Sequence, residues 1–286
     1  MTATHTLEVP GNVLTYDIRT NESSTEPILM MVGSPMGASG FDTLAGFFPD
    51  RTIVTYDPRG VERSRRTDDA RTSTTEQHAD DIHRVIAAVG GGPVDMFASS
   101  GGAVNALALV SQHPTDVRVL VAHEPPDAAV LPDRQEALAA VKSIADAYQH
   151  SGHGEGMARF IAVTSHRGPF PADPAQIQGP SAAQMGFPAT DDGSRDDPLL
   201  GQNIESTTSY EPDYEALRAA PTRVVMAVGA ASEGQMTSRA TAVIAERLGT
   251  TPVVFPGGHG GFNQSEWDPT SDPKAFAAKL REVLDS

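Results

Sequence analysis

A serine flanked by small residues is the first chemically informative feature of this 286-residue sequence. Segment 97–102 reads FASSGG and joins an apolar run typical of a buried strand to a predicted helix. A strand-to-helix turn that exposes a nucleophile needs small residues two positions before and after it. Ser100 meets this requirement with Ala98 and Gly102, whereas Ser99 would place a phenylalanine at a crowded position. A phosphate-binding loop fits less well, because segment 97–102 lacks the lysine or the spaced glycines of such loops.

A histidine surrounded by glycines is the second such feature. Segment 257–261 reads GGHGG and follows a short predicted strand, so the side chain of His259 projects from a turn without bulky neighbours. The other histidines are interpreted as surface or core residues. His150 and His153 are near each other in sequence, but no third ligand is close, and a loop tip is the better interpretation.

Together with two further segments, these motifs resemble the α/β-hydrolase superfamily over nearly the full length of the chain. Segment 32–35, VGSP, matches the turn in which these enzymes place an oxyanion donor, although Val32 replaces the usual histidine or glycine. The resemblance implies that the N–H groups of Ser34 and Gly101 form an oxyanion hole. It also implies that His259 is the general base toward Ser100.

The second matching segment is the turn 57–60, DPRG, followed by Ser64. In the superfamily a turn of this pattern holds loops near the site. We therefore assign it a structural role.

The acid of the predicted triad departs from the commonest superfamily pattern. The usual turn, after the strand 223–228, has Ala231 and Ser232 where a carboxylate is expected, and Glu233 follows one residue late. Some members place the acid after the strand that follows the nucleophile helix. Here that position brings Glu124 to the carboxyl edge of the sheet, where ligands bind in such folds. Glu124 is the preferred acid, and Glu233 is the alternative.

The elements that position these residues alternate between strand and helix. Apolar runs typical of buried strands cover 13–19, 27–33, 52–57, 94–99, 117–122, 223–228 and 253–255. Helices are predicted after a capping box from Ser73 to Glu76, behind segment 97–102, up to Leu248 and from Asp272–Pro273 onward. This order predicts an α/β protein of the α/β-hydrolase fold, with a mostly parallel sheet and helices on both faces.

The alternation is interrupted by a long insertion. A helix opened by Asp133 is predicted, a second is expected over 156–163, and residues 167–204 show hardly any periodicity. A stretch this long inside a compact chain is more often a functional lid than a linker. We predict a core of residues 1–125 and 221–286 and a cap of residues 126–220.

Composition excludes several other classes of function. The 21 Lys and Arg against 37 Asp and Glu give a formal charge of −16, which disfavours nucleic acids and anionic membrane surfaces. The absence of cysteine excludes disulfides, thiolate metal ligands and a cysteine nucleophile. Neither a signal peptide nor an apolar run of about 18 residues is visible, so a cytoplasmic protein is expected.

The sequence thus predicts a serine hydrolase that cleaves an ester-like bond of a small molecule (ester, lactone or thioester) through an acyl-enzyme. Neither a cofactor nor a metal is implied, and the oligomeric state is not determined. A perhydrolase or a carbon–carbon hydrolase would use the same site. A protein that binds a ligand without turnover on a hydrolase scaffold is the alternative from another class.

Overall fold

The computed structural model describes residues 2–188, 190–264 and 269–286. The strands are β1 (Thr2–Val9), β2 (Asn12–Arg19), β3 (Leu29–Val32), β4 (Ile53–Asp57), β5 (Arg65–Arg66), β6 (Val94–Ser99), β7 (Val117–His123), β8 (Arg223–Gly229) and β9 (Val253–Phe255). The helices are α1 (Asp42–Ala45), α2 (Thr75–Ala88), α3 (Gly101–Gln112), α4 (Arg134–Ser151), α5 (His153–Ser165), α6 (Ile204–Thr208), α7 (Tyr214–Ala219), α8 (Met236–Leu248) and α9 (Pro273–Asp285).

Within these described ranges the strands form one sheet in the order β1-β2-β4-β3-β6-β7-β8-β9, with β5 paired to β2. The pairs from β4 through β3, β6, β7 and β8 to β9 are all parallel, whereas β2 runs antiparallel to β1, β4 and β5. The carboxyl ends of the parallel strands therefore meet at one edge of the sheet. The predicted fold class, an α/β protein with a mostly parallel sheet, is confirmed.

Side chains that alternate along the strands supply two separate hydrophobic cores. Met30 and Val32 of β3 pack on one face with α2, α3 and α8, while Leu29 and Met31 pack on the other with α1 and α9. Because both faces are covered by helices, the central strands are apolar at nearly every position. The expectation of helices on both faces is confirmed.

One strand was not expected from the sequence, and one local prediction, the capping box, was wrong. The strand β1 was not expected, because most of its side chains are exposed and only its pairing with β2 makes it a strand. The capping box of α2 consists of Thr74 and Gln77, one residue after the predicted pair. Ser73 is taken by other partners: its hydroxyl accepts a hydrogen bond from Arg66, 2.8 Å away.

The insertion contains more helix than its sequence suggested. Helix α5 begins at His153 rather than at residue 156, and it packs against α4. Between residues 167 and 204 lie a 3₁₀ turn at Pro174–Gln176 and a π-helical turn at Pro198–Asn203. Helix α7, near the end of the insertion, packs against α3 and α8 of the core. In the described part of the chain, no helix has both the length and the apolar character required to span a membrane.

Candidate active site

Ser100 lies between β6 and α3 in a strained backbone conformation, with φ +59° and ψ −132°. A non-glycine residue in this region costs on the order of 1–3 kcal/mol, and such strain is concentrated at functional sites. The surrounding structure fixes the turn: the Ser100 N–H donates to the His123 carbonyl over 3.0 Å, and the Ala103 N–H donates to the Ser100 carbonyl over 2.9 Å. The strand and the helix together hold the serine at the carboxyl edge of the sheet.

The small neighbours of Ser100 are required by close backbone contacts. A Cβ atom at Gly102 would lie 2.5 Å from the Val32 carbonyl oxygen, and Ala98 is completely buried. Ser99, by contrast, is buried, and its Oγ lies 3.2 Å from Nδ1 of the equally buried His123. The geometry therefore leaves Ser100, and not Ser99, facing the cavity described below.

Ser34 and Gly101 meet where the turn after β3 passes the first residue of α3. The contact is close, since a Cβ atom on Gly101 would lie 2.6 Å from the Ser34 carbonyl oxygen. Helix α3 is twelve residues long, so its N-terminal amides and dipole favour negative charge at this point. The predicted oxyanion donors are thus brought beside Ser100, although their role stays a prediction.

The turn 57–60 holds the chain that follows Ser34, as its sequence suggested. Asp57 Oδ1 accepts a hydrogen bond from the Ala38 N–H over 2.8 Å. Ser64 Oγ donates to the Asp57 carbonyl over 2.6 Å. Arg59 makes a buried bidentate ion pair with Asp81, at 2.7 and 2.8 Å. These contacts are structural, because they engage backbone and charged groups away from Ser100.

Glu124 directly follows β7 and is fully buried, with a left-handed backbone at φ +51°. Its Oε1 accepts a hydrogen bond from the Gly229 N–H over 2.8 Å, and its Oε2 accepts one from Thr237 Oγ1 over 3.2 Å. Oε2 also lies 2.7 Å from Nδ1 of His259. The structure therefore brings the preferred acid candidate into contact with the histidine.

The carboxyl group of Glu124 is held in its ionised form. Burial raises the pKa of Glu124, but the hydrogen bond with His259 and the neighbouring imidazoles of His123 and His259 outweigh it and lower this pKa to about 2. An ionised carboxylate only accepts hydrogen bonds, so Nδ1 of His259 carries the proton. Nε2 of His259 is then the basic nitrogen, on a side chain that is 42% exposed.

Glu233, the alternative acid, occupies a different environment. It follows the 3₁₀ turn Ala230–Ser232 after β8 and is exposed, and its backbone carbonyl accepts a hydrogen bond from Arg167. Among the described residues its carboxylate has no hydrogen bond or ion pair. The structure thus separates the two candidates by burial and by contact with His259.

A cavity of about 210 Å³ joins Ser34, Ser100, Gly101 and His259, and helices α4, α5 and α6 and the first turn of α8 form its other walls. Ser100 Oγ makes no hydrogen bond to another described residue. Ser100 and His259 thus line one cavity, and no hydrogen bond joins their side chains. Catalytic hydrogen bonds are often long without substrate and tighten only when it binds.

Three supporting groups were not found from sequence. Thr237 and Gly229 hold the Glu124 carboxylate, and they lie more than a hundred positions away along the chain. The ring of His123 packs beneath His259, with centroids 6.1 Å apart, and burial lowers the pKa of His123 to about 4. No sequence spacing signals these contacts, because each depends on the order of the strands.

Metal-ligating side chains also cluster elsewhere in the described structure, at His83, His113 and Asp116. The two imidazole rings stack nearly parallel, with centroids 3.8 Å apart and 8° between their planes. Two parallel stacked rings do not point their in-plane lone pairs at one ion. The cluster precedes β7, at the opposite end of that strand from Glu124, and it takes no part in the candidate site.

Comparisons with known proteins agree with this architecture. The model of the family described as the alpha/beta hydrolase fold matches residues 27–193. A protein of Bacillus subtilis (strain 168) named as an uncharacterized hydrolase, YraK, is 28% identical over 286 residues, which cover 98% of this chain and 95% of that protein.

Solved structures share the fold at lower identity. A thermophilic esterase from Thermogutta terrifontis has a TM-score of 0.67 and 17% identity, with 100% of this chain and 98% of the other covered. An alpha/beta hydrolase from Sphaerobacter thermophilus DSM 20745 has a TM-score of 0.61 and 20% identity, with 98% and 100% covered.

Proposed function

The chain belongs to the alpha/beta hydrolase fold family, and we propose that it is a serine hydrolase that cleaves ester-like bonds of small molecules. Esters, lactones and thioesters are the substrate classes, and the cap of residues 126–220 supplies most of the pocket. The name of the Bacillus subtilis relative, a hydrolase, agrees with this proposal. The observation that carries it is the 2.7 Å contact between Glu124 and His259 beside the strained turn of Ser100.

The first half of the reaction forms an acyl-enzyme. When substrate enters, Nε2 of His259 accepts the proton of Ser100 Oγ while Oγ attacks the carbonyl carbon. The imidazolium that forms is stabilised by the ionised Glu124 at Nδ1. His259 then donates the proton to the leaving group, and the carbon–oxygen or carbon–sulfur bond breaks.

The negative charge that develops on the substrate oxygen needs donors that are already in place. The proposed donors are the N–H groups of Ser34 and Gly101, two residues that line the same cavity as Ser100, and the N-terminus of α3 adds its dipole. In the second half, His259 removes a proton from water while the water oxygen attacks the acyl carbon. The bond from that carbon to Ser100 Oγ then breaks, His259 returns the proton to Oγ, and the acid is released. Loss of a single oxyanion donor typically costs a factor on the order of 10²–10³ in turnover.

The test compares two adjacent serines. Ser100→Ala should abolish hydrolysis of an activated ester such as p-nitrophenyl butyrate, because the nucleophile is removed. Ser99→Ala should keep the fold and most of the activity, since the Ser99 hydroxyl lies within hydrogen-bond distance of the buried His123 and Ser99 does not line the cavity. Equal losses in both variants would show that the nucleophile is misassigned. An unchanged rate in Ser100→Ala would refute the proposal.

A further inference from the structure

The cavity beside Ser100 is walled largely by apolar side chains, most of them from the proposed cap. These are Val141 and Ile144 of α4, Phe160 of α5, Leu199, Ile204 of α6 and Met236 of α8. They come from separate elements of the chain, yet they converge on one space of about 210 Å³. An apolar wall of this kind stabilises only a ligand surface that is itself apolar.

Charged side chains are excluded from this cavity. Among the described residues that line it there is no Asp, Glu, Lys or Arg, and His259 is the only titratable side chain. Charged residues of the core and the cap line a separate, more open cleft instead, which includes Arg65, Arg66, Asp191 and Asp196. A charged substrate group in the first cavity would lose its hydration without gaining a partner, which is strongly unfavourable.

Several polar residues of the lining direct their side-chain hydrogen bonds back into the protein. Thr164 Oγ1 donates to the Phe160 carbonyl over 2.9 Å, and Thr208 Oγ1 donates to the Ile204 carbonyl over 2.7 Å. The hydroxyl of Thr237 is used by Glu124. Such groups have little capacity left for a ligand, so the cavity is less polar than its composition suggests.

Asn203 illustrates the same point with a full amide group. Its Oδ1 lies 2.8 Å from Nε2 of the buried His78, and its Nδ2 donates to the Pro198 carbonyl over 2.7 Å. Burial lowers the pKa of His78 to about 4, so this imidazole is neutral at physiological pH and adds no charge behind the wall. The amide therefore fixes the wall and does not recognise substrate.

The size of the cavity limits the length of the bound group. Pockets for drug-sized ligands run from roughly 300 to 1,000 Å³. At about 210 Å³ this cavity is smaller than those pockets, which favours an acyl chain of medium length over a long one.

We propose that the substrates are esters or lactones of neutral, medium-chain hydrocarbon acids, and that acyl groups with a charged terminus are rejected. This inference rests on the proposed function, because it names the acyl group that Ser100 would accept. The side chains that line the cavity would then select the substrate, and the residues at the ends of the strands would carry out the reaction.

The first experiment measures kcat/KM for p-nitrophenyl esters of acetate, butyrate, hexanoate, octanoate and dodecanoate. The value should rise roughly threefold to fourfold per added methylene, the factor expected for hydrocarbon burial, and should fall beyond octanoate. The matched probe is the mono-p-nitrophenyl ester of suberic acid, which has the octanoate length and a terminal carboxylate. It should react more slowly than octanoate by a factor on the order of 100 or more.

The second experiment changes the wall at two half-buried positions. Phe160→Ala should move the optimum toward longer chains, and should raise the ratio of dodecanoate to hexanoate activity by roughly tenfold. Leu199→Arg should raise the ratio of suberate to octanoate activity by roughly tenfold or more, because the guanidinium supplies the missing partner. Leu138→Arg, at a half-buried leucine of α4 that does not line the cavity, is the control and should leave both ratios unchanged.

The failure of this inference is distinguishable from failure of the proposed function. If a fluorophosphonate labels Ser100 but kcat/KM is independent of chain length, or the suberate ester equals octanoate, the acyl class is wrong and the hydrolase stands. If Ser100→Ala retains full turnover, the function itself is wrong. Thermal shift of Ser100→Ala with methyl octanoate gives a readout without turnover, and the absence of any shift would contradict the proposed occupant.

Discussion

The ends of β7 and β8 lie side by side at the same edge of the sheet, yet they present their carboxylates in opposite ways. After β7 the chain makes a left-handed step at Glu124, which buries the carboxylate against the N–H of Gly229 and the ring of His259. After β8 a 3₁₀ turn leads to Glu233, which stays exposed. The same residue type is a buried anion in one place and a solvated one in the other.

This difference shows what a triad acid requires besides its charge. A buried carboxylate remains ionised only when hydrogen bonds and positive groups compensate its desolvation. At Glu124 the compensation comes from the hydrogen bond with His259 and from the neighbouring imidazoles, and β8 and α8 add the donors of Gly229 and Thr237. The end of β8 thus contributes donors to the acid held by β7, rather than a carboxylate of its own.

The largest effect is expected when the two carboxylates are neutralised separately. Glu124→Gln should reduce kcat for p-nitrophenyl octanoate by a factor on the order of 10⁴, the loss known for an acid-to-amide change in such a triad. Glu233→Gln should change kcat by less than about twofold, because an exposed charge without a partner contributes little. The reverse ranking would assign the acid to the end of β8.

A smaller effect is expected from moving the acid between the strands. Ser232 is buried beside Glu124, in the turn where the superfamily commonly has its acid. In the Glu124→Gln background, Ser232→Asp should recover roughly tenfold to a hundredfold in kcat, since a carboxylate again faces His259. The same substitution in the parent protein is the control and should not increase kcat. No recovery would mean that the end of β8 cannot present an acid to His259.

The pH dependence of the free energy of unfolding tests a second buried group at the end of β7, the imidazole of His123. His123, the last residue of β7, is opposite Ala227 of β8 and packs against Phe97, Phe255, Phe262 and Phe276. Burial lowers the pKa of His123 to about 4, whereas an unfolded histidine titrates near about 6.5.

Between those two pH values the unfolded chain binds a proton that the folded chain does not. The free energy of unfolding should therefore fall as the pH is lowered through this window, by up to about 1.4 kcal/mol per pH unit for His123. His123→Phe should weaken this slope in urea titrations, whereas replacement of the exposed His150 by Gln should not. Identical slopes in parent and His123→Phe would show that the folded protein accommodates the charged ring.

The smallest effect is expected from the loss of the Thr237 hydroxyl, which donates a hydrogen bond to the Glu124 carboxylate. Thr237→Val removes the hydroxyl that donates to Glu124 Oε2 over 3.2 Å. Turnover should fall roughly threefold to tenfold, the range for one lost hydrogen bond, with KM nearly unchanged. Thr164→Val is a matched control in the same cavity, because that hydroxyl bonds only within its own helix. Equal kinetics of the two variants would exclude a positioning role for Thr237.

The sequence predicts the features that depend on short-range sterics. Small residues at 98 and 102 identify Ser100, because the crowded turn is formed by the strand and helix that carry it. The position of Glu124 at the carboxyl edge follows from the end of an apolar run. The structure brings this residue to His259, while the catalytic roles of all these residues stay predictions.

What the sequence does not reveal depends on contacts between distant segments. The cap between residues 167 and 204 lacks periodicity, since its turns are fixed by Asp side chains and by packing on α4 and α5 rather than by an apolar stripe. The shift of the capping box from Ser73 to Thr74 has a similar cause. The Ser73 N–H donates to the carbonyl of the distant Gln202, and the Ser73 hydroxyl accepts a hydrogen bond from Arg66 of β5. Local patterns carry no information about such competition.

The rate at which a fluorophosphonate labels Ser100 tests the central claim most directly, because it reports nucleophile, base and acid in one covalent event. The label is located by peptide mapping, and its rate is followed by intact mass in the parent, Glu124→Gln and Glu233→Gln proteins. The account predicts an adduct on Ser100, formed at the parental rate in Glu233→Gln and slower by a factor on the order of 10³ or more in Glu124→Gln. An adduct on Ser99, or equal rates in all three proteins, would contradict it.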